Sequence, residues 1–162
     1  MTETIRIGLD LAKTVFQVHG VNGNEQVSIR RSFRRDQPRR WFERLPPCLI
    51  GMEACATAHH WARELTQLGH TVRLIPPAYA KNDAADAAAI CEAVSRPSMR
   101  FVPVKTEAQQ AAAGLHRVRE QLTRQRTATM NSLRGLLAEF GLLAPQGMTG
   151  MNTLISAVED PE

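Results

Sequence analysis

The sequence predicts an α/β protein, in which a mixed β-sheet flanked by helices is followed by one long helix. Segments 5–10, 15–21 and 26–33 are rich in β-forming residues, and the turn sequence VNGN favours an antiparallel meander. Beyond residue 37, helical and strand patterns alternate, which is typical of parallel pairing. A helical pattern then extends from Thr106 to about Phe140, much further than in an average helix.

Two of the predicted strands end on acids. Residues 5–10 alternate in polarity and finish at Asp10. A short helix over residues 37–45 stops at two prolines, and the apolar run CLIGM then predicts a buried central strand that leads into Glu53. A further helix is expected to run from Thr57, as its N-cap, to Leu68.

A second acidic feature follows the next predicted strand, at residues 70–75. The stretch NDAADAAAI predicts a helix on which Asp83 and Asp86, three residues apart, share one face. Such a like-charge pair is offset either by the positive end of the helix or by a divalent cation. The long helix carries an apolar stripe, which predicts a core or dimer contact. No element is predicted over the last twenty residues.

Composition bounds the function. The chain has 162 residues, 43% of them hydrophobic, and it has no apolar run long enough for a membrane span and no secretory leader. Three cysteines without a CxxC pair indicate reduced thiols in a cytoplasmic protein. A net charge of +4 with clustered arginines indicates a polyanionic partner, although an ordinary solvated basic face has the same composition.

The arginines concentrate in two segments, one near the third strand and one on the long helix. Their planar guanidinium groups match phosphate oxygens, so they are candidate nucleic-acid ligands. The candidates are Arg30, Arg31, Arg34, Arg35, Arg39, Arg40, Arg117, Arg119, Arg124 and Arg126.

The acids predict a metal site if their strands are neighbours. Ligands gather beyond the carboxyl ends of parallel strands, where Asp10 and Glu53 would meet, and the helix with Asp83 and Asp86 can pack over the same edge. Four carboxylates together require cations, and oxygen ligands favour Mg²⁺, with Mn²⁺ as an alternative. Two such ions could hold the attacking and leaving oxygens of a phosphodiester.

Seven motifs in this order resemble the DEDD insertion-sequence transposases, which include the Piv invertases and the bridge-RNA-guided recombinases. They span about residues 5–142 and read IGLDLAK, GMEAC, HHWAR, NDAADA, VPVKT, HRVRE and LRGLL. The resemblance implies a RuvC-like, RNase H-type domain at residues 1–104, a long coiled-coil helix at 105–141 and, at 142–162, the start of a missing C-terminal region.

The resemblance also implies the chemistry. The family's acidic tetrad falls on Asp10, Glu53, Asp83 and Asp86, which would be both catalytic and Mg²⁺-binding. It implies DNA and a guide (bridge) RNA as partners, and a dimer or tetramer formed through the long helix. The family's nucleophilic serine belongs to a C-terminal domain, so we expect an N-terminal fragment that cannot complete strand exchange alone. The family's basic loop is also longer than residues 78–81 here.

Other functions use some of the same residues. A metal-dependent nuclease or junction resolvase would use the same acids to activate water. A sugar-kinase or actin-like ATPase is disfavoured because Ala12 and Lys13 replace a phosphate hairpin and no repeat follows. A non-catalytic RNA-binding module would not need the acids. His59 and His60 are interpreted as packing or surface residues, and Trp41 and Phe42 as a helix face on the sheet that could alternatively stack on bases.

Overall fold

A computed structural model describes residues 4–34, 37–77 and 86–159, with the backbone but not the side chain of Asp86. The chain divides into two compact units, Met1–Thr106 and Glu107–Glu162. The fold is the predicted α/β arrangement of RNase H type. Within the described residues, no helix is both long and apolar enough to cross a membrane.

The first unit is built on a five-stranded sheet with the order β3-β2-β1-β4-β5. β1 pairs antiparallel with β2, and β2 with β3, which confirms the predicted meander. β4 runs parallel to both β1 and β5, which confirms the parallel portion. The strands are β1 (Thr4–Leu11), β2 (Val15–Asn22), β3 (Val27–Arg34), β4 (Leu49–Glu53) and β5 (Thr71–Ile75).

Helices cover both faces of this sheet. One face packs against α1 (Pro38–Phe42) and α2 (Ala58–Gln67), and its core includes Ile7, Leu9, Ile50 and Met52 beneath the helix residues Trp61 and Leu65. The other face is covered by α3 (Asp86–Ala93) through a smaller apolar cluster of Ile75, Ile90 and Val94. The acidic strand ends therefore project from a sheet that is covered on both sides.

Two local predictions were wrong in detail. α1 is shorter than the predicted 37–45 helix, because the chain turns at Glu43 to Leu45 before the prolines. Thr57 has a left-handed backbone (φ 73°) and makes no side-chain capping hydrogen bond. Thr57 therefore occupies the predicted N-cap position, but without the side-chain hydrogen bond that usually accompanies it.

The second unit holds the long helix and one helix that the sequence pattern did not predict. α4 (Glu107–Ala138) has 32 residues, or about 48 Å at 1.5 Å per residue, and none of them is buried. After Gly147, which has φ +98°, the chain forms α5 (Met148–Glu159) with Met151 and Leu154 buried. The glycine-rich and methionine-rich start of α5 obscured its helical periodicity.

Candidate metal and nucleic-acid site

Asp10 and Glu53 lie side by side at the carboxyl ends of two neighbouring strands. The parallel pairing of β1 and β4 sets Gly8 against Gly51 and Leu9 against Met52, so the two acids occupy the next register position. Adjacent strands are separated by about 4.8 Å. Because side chains alternate along a strand, both acids lie on the same face as the two glycines. Both are half-buried.

Gly8 and Gly51 allow α3 to approach this face closely. A Cβ atom at Gly8 would overlap the carbonyl oxygen of Ala87 and lie 2.5 Å from the backbone nitrogen of Cys91. A Cβ atom at Gly51 would lie 2.8 Å from that of Val94. α3 therefore crosses β1 and β4 in direct contact with their backbones, two residues before the acids. Its first residue, Asp86, directly precedes Ala87, so the helix begins over β1.

The structure brings two of the four predicted acids together and positions the backbone of a third. Asp83 and the side chain of Asp86 lie outside the described residues. Among the side chains that are described, no group of three or more His, Cys, Asp or Glu residues could hold a metal ion. Asp10 and Glu53 supply oxygen ligands of the kind that Mg²⁺ and Mn²⁺ prefer. The four-carboxylate site therefore stays a prediction.

Some of the predicted arginines form salt bridges, whereas others are exposed and form none within the described residues. Arg39 bridges Glu43 (3.2 Å) and Glu64 (2.6 Å), joining α1 to α2, and Arg124 pairs with Glu120 at 2.5 Å. Within the described ranges, no salt bridge engages Arg30, Arg31, Arg34, Arg40, Arg117, Arg119 or Arg126, all of which are exposed. Arg35 lies outside those ranges.

β3 carries arginines on both of its faces. Arg30 and Arg34 lie on the α3 face, the one that also bears Asp10, whereas Arg31 lies on the opposite face with its guanidinium group 5.1 Å from the ring centre of Phe33. β3 is an edge strand of the sheet, so a polyanion could reach both sets without unfolding the domain.

A polar cleft of about 330 Å³ opens between the start of α3 and the outer strands. Its lining includes Gln17, His19, Arg30 and Ser32, together with the first alanines of α3. Burial, helped by the Arg30 charge, lowers the pKa of His19, so its ring is neutral at physiological pH. The sequence interpretation missed all of these residues except Arg30. The available signal was the polar alternation within β2 and β3.

The HHWAR motif has a structural role in this fold. The backbone N–H of Lys105 donates to Nδ1 of His59 (3.1 Å), and Arg63 donates to the Lys105 carbonyl oxygen (2.7 Å). Burial, with the charges of Lys105 and Arg63, lowers the pKa of His59. Trp61 packs edge-on against Phe16, with ring centres 5.0 Å apart. The motif therefore fixes the segment that ends the first unit, and the packing interpretation of His59 is confirmed.

The aromatic pair on α1 also packs as predicted. Phe42 is fully buried, and Trp41 is half-buried against Phe33, with ring centres 4.9 Å apart. These contacts confirm the interpretation of a helix face on the sheet.

Comparison with known proteins identifies the family. A DEDD-type IS110 family model, described as a transposase, matches residues 7–141. A probable family 20 transposase of Pseudomonas aeruginosa is 62% identical over 86% of this chain and 43% of its own length. A putative transposase of Sinorhizobium fredii is 49% identical, covering 96% of this chain and 42% of its own length.

A third relative, the transposase for insertion sequence element IS1328 of Yersinia enterocolitica, is 42% identical over the whole of this chain and 51% of its own length. The chain thus spans about half or less of the length of these relatives. The family model covers most of the chain, including both strand-end acids and the long helix. The chain therefore belongs to the DEDD-type IS110 transposase family.

Proposed function

We propose that this chain is the metal-binding part of a DNA transposase, in which Asp10, Glu53, Asp83 and Asp86 form one carboxylate site for Mg²⁺. The observation that carries the proposal is the register of β1 and β4, which sets Asp10 beside Glu53 at the carboxyl ends of parallel strands. Two adjacent carboxylates repel each other, and a divalent cation offsets that repulsion.

The close packing of α3 supports the participation of the other two acids. Gly8 and Gly51 bring this helix onto the sheet immediately before the strand-end acids, and the helix begins at Asp86. Asp83 precedes it by three residues. Because three residues of chain span at most about 11 Å, Asp83 is within chain reach of the same edge of the sheet.

A bound Mg²⁺ ion would supply Lewis-acid stabilisation of a phosphodiester oxygen. The chain's own carboxylates would hold the cation and fix its position relative to the DNA strand. We propose that the nucleophile is a serine from a domain outside this chain, as the family resemblance implies. The relatives have roughly twice the length of this chain, which is consistent with such a division.

We also propose DNA and a guide RNA as partners, with oligomerisation through α4. The exposed arginines on the edge strand β3 and on α4 favour contact with phosphate. The exposed apolar side chains Leu115, Val118 and Leu122 favour association with a second copy of α4.

Titration with Mn²⁺, followed through the electron paramagnetic resonance signal of the free ion, tests the metal site. We expect saturable binding, weakened at least about tenfold by Asp10→Asn or Glu53→Gln, because each removes one charged oxygen ligand. Glu139→Gln is the matched control, since it removes an exposed carboxylate from the other unit.

Two outcomes would contradict the proposal. Equal Mn²⁺ binding by the wild type and the Asp10→Asn variant would remove Asp10 from any metal site. Efficient Mg²⁺-dependent hydrolysis of linear or branched DNA by this chain alone, abolished by Asp10→Asn, would instead identify a nuclease. Binding of metal without hydrolysis is the expected combination.

A further inference from the structure

Four polar side chains form a compact group that the carboxylate site does not use. Antiparallel pairing of β2 and β3 sets His19 opposite Arg30 and Gln17 opposite Ser32, all on the α3 face. Directly opposed side chains on paired strands have Cβ atoms about 4.5–5.5 Å apart. Each of the four carries at least one N–H or O–H donor. The group is therefore a patch of hydrogen-bond donors that includes the cationic side chain of Arg30.

The patch is recessed. Ala87 and Ala88 of α3 form part of the wall of its 330 Å³ cleft, and their small side chains leave the donors accessible. No Asp or Glu occurs among the described residues that line the cleft. Among the described lining residues, several hydrogen-bond donors and the guanidinium group of Arg30 fit an anion that has several acceptor oxygens, such as a phosphodiester.

The register relates this cleft to the strand-end acids. Asp10 pairs with Gln17, which in turn pairs with Ser32, so one row across the sheet carries Glu53, Asp10, Gln17 and Ser32 in order. Each step along this row is about 4.8 Å. A nucleic-acid strand whose phosphate lies at Asp10 and Glu53 would therefore bring another of its phosphates close to the cleft.

We propose that this cleft binds a backbone phosphate of the DNA strand that is held at the carboxylate site. In this arrangement Arg30 neutralises the phosphate, while Gln17, His19 and Ser32 orient it and thereby set the position of the strand over the acids. This inference rests on the proposed function for the identity of the strand, but its donors and its cleft are independent of the metal.

Fluorescence anisotropy with a labelled DNA duplex, measured at a series of salt concentrations, tests the cleft. We expect Arg30→Ala to weaken binding about three- to tenfold and to lower the salt slope by about 0.9, the value for one phosphate contact. The pair Gln17→Ala and Ser32→Ala is expected to weaken binding without changing the slope, because neither residue is charged.

The matched control is Arg96→Ala, which removes one exposed arginine from the same unit, three residues beyond the end of α3, where it pairs with Glu92. It should leave both affinity and slope close to those of the wild type. The His19→Gln variant retains a side chain with an N–H donor, and it should therefore bind DNA more tightly than the His19→Ala variant. Circular dichroism of each variant checks that the fold is retained.

Parallel measurements separate this proposal from the proposed function. Cleft variants should keep wild-type Mn²⁺ binding. Asp10→Asn should weaken Mn²⁺ binding at least about tenfold, and adding Arg30→Ala to it should still lower the salt slope. If Asp10→Asn binds Mn²⁺ normally while Arg30→Ala still lowers the salt slope of DNA binding, the metal-site proposal is contradicted and the cleft proposal is supported.

Three results would overturn the cleft proposal. The first is equal affinity and slope for Arg30→Ala and Arg96→Ala. The second is an Arg30→Ala effect on an RNA of the same sequence but not on DNA, which would assign the cleft to RNA. The third is that millimolar inorganic phosphate occupies the cleft while no cleft variant changes the affinity for DNA. That result would make the cleft a site for the free anion.

Discussion

At the scale of single residues, two glycines determine how the candidate site is assembled. Gly8 and Gly51 are buried in the sheet beneath α3, where a side chain would meet the helix backbone in one case and Val94 in the other. These residues matter because they have no side chain. Glycine is therefore required at these positions by the packing that places α3 over the strand-end acids.

Alanine at these glycines should destabilise the fold to different extents. Gly51→Ala is expected to lower the free energy of unfolding by about 1–3 kcal/mol, the usual range for overpacking, and Gly8→Ala by more, because its Cβ meets backbone atoms that cannot move aside. Urea unfolding measures both changes. Gly114→Ala is the control, since its site on α4 is open, and it should stabilise that helix by about 0.5–1 kcal/mol. Equal stability of the Gly8→Ala variant and the wild type would refute the close packing of α3.

The three cysteines should differ sharply in reactivity. Burial raises the pKa of the Cys48 thiol from its ordinary 9.0 to about 11, and burial also raises the pKa of Cys91, while Cys55 is half-exposed. With Ellman's reagent at pH 8 and native conditions, we expect one fast thiol and two that react only as the chain opens. Cys55→Ser should abolish the fast phase. Three thiols of equal rate would contradict the structure.

The raised pKa of Cys48 also predicts an alkaline loss of stability. Above pH 9 the unfolded chain loses this proton while the folded chain keeps it, so the unfolded state binds fewer protons. The free energy of unfolding should therefore be unaffected by this group below pH 9 and fall as the pH rises from about 9 towards 11. Urea unfolding of the wild type and of Cys48→Ala across this range isolates the effect.

At the scale of elements, α4 exposes more large apolar side chains than any other described helix. None of its residues is buried, and Leu115 and Leu122 are 72% and 60% exposed on one face. Within its unit, a 48 Å helix with an unburied apolar stripe gains little from its own chain, because helical stability comes mainly from packing that stripe.

Charges placed on this stripe should prevent self-association. If the chain is a dimer or tetramer through α4, Leu115→Glu with Leu122→Glu should yield monomers in sedimentation velocity, since each buried leucine contributes about 1.5–3 kcal/mol. The control pair is Gln109→Glu with Thr127→Glu, two exposed residues about 150° around the helix from the stripe. It adds the same two charges and should leave the oligomer intact. A wild type that stays monomeric at tens of micromolar would contradict this role of α4.

At the scale of the whole molecule, the two units differ in how they are stabilised. Both buried apolar clusters belong to Met1–Thr106, and the larger one includes residues from all five strands. In the second unit, only Gly150, Met151 and Leu154 of α5 are buried among the described helical residues. The first unit therefore has the core of a small domain, and the second does not.

Truncation should separate these two behaviours. A chain of residues 1–106 is expected to unfold cooperatively with a melting temperature within about 4 °C of the parent, a difference worth less than about 1 kcal/mol. Residues 107–162 alone should show helicity that rises with concentration, because their apolar stripe needs a second copy. Circular dichroism measures both. Loss of cooperative unfolding in the 1–106 chain would show that its core depends on the second unit.

The sequence by itself determined the mixed sheet, the succession of its strands along the chain and the acids at the ends of two of them, because β-rich segments, turn residues and proline pairs mark these features locally. It also located α4 from apolar periodicity. It missed α5 and the Thr57 backbone, since glycine and methionine blur a helical pattern and a left-handed residue leaves no compositional mark.

Only the tertiary structure decided which residues lie together. The pairing of β1 with β4 sets Asp10 beside Glu53, and the pairing of β2 with β3 assembles the polar cleft. α3 can approach the sheet closely because Gly8 and Gly51 have no Cβ atoms. Strand register and helix contact are non-local quantities, fixed by packing across many residues. A sequence pattern can therefore identify candidate ligands, but it does not give the distance between them.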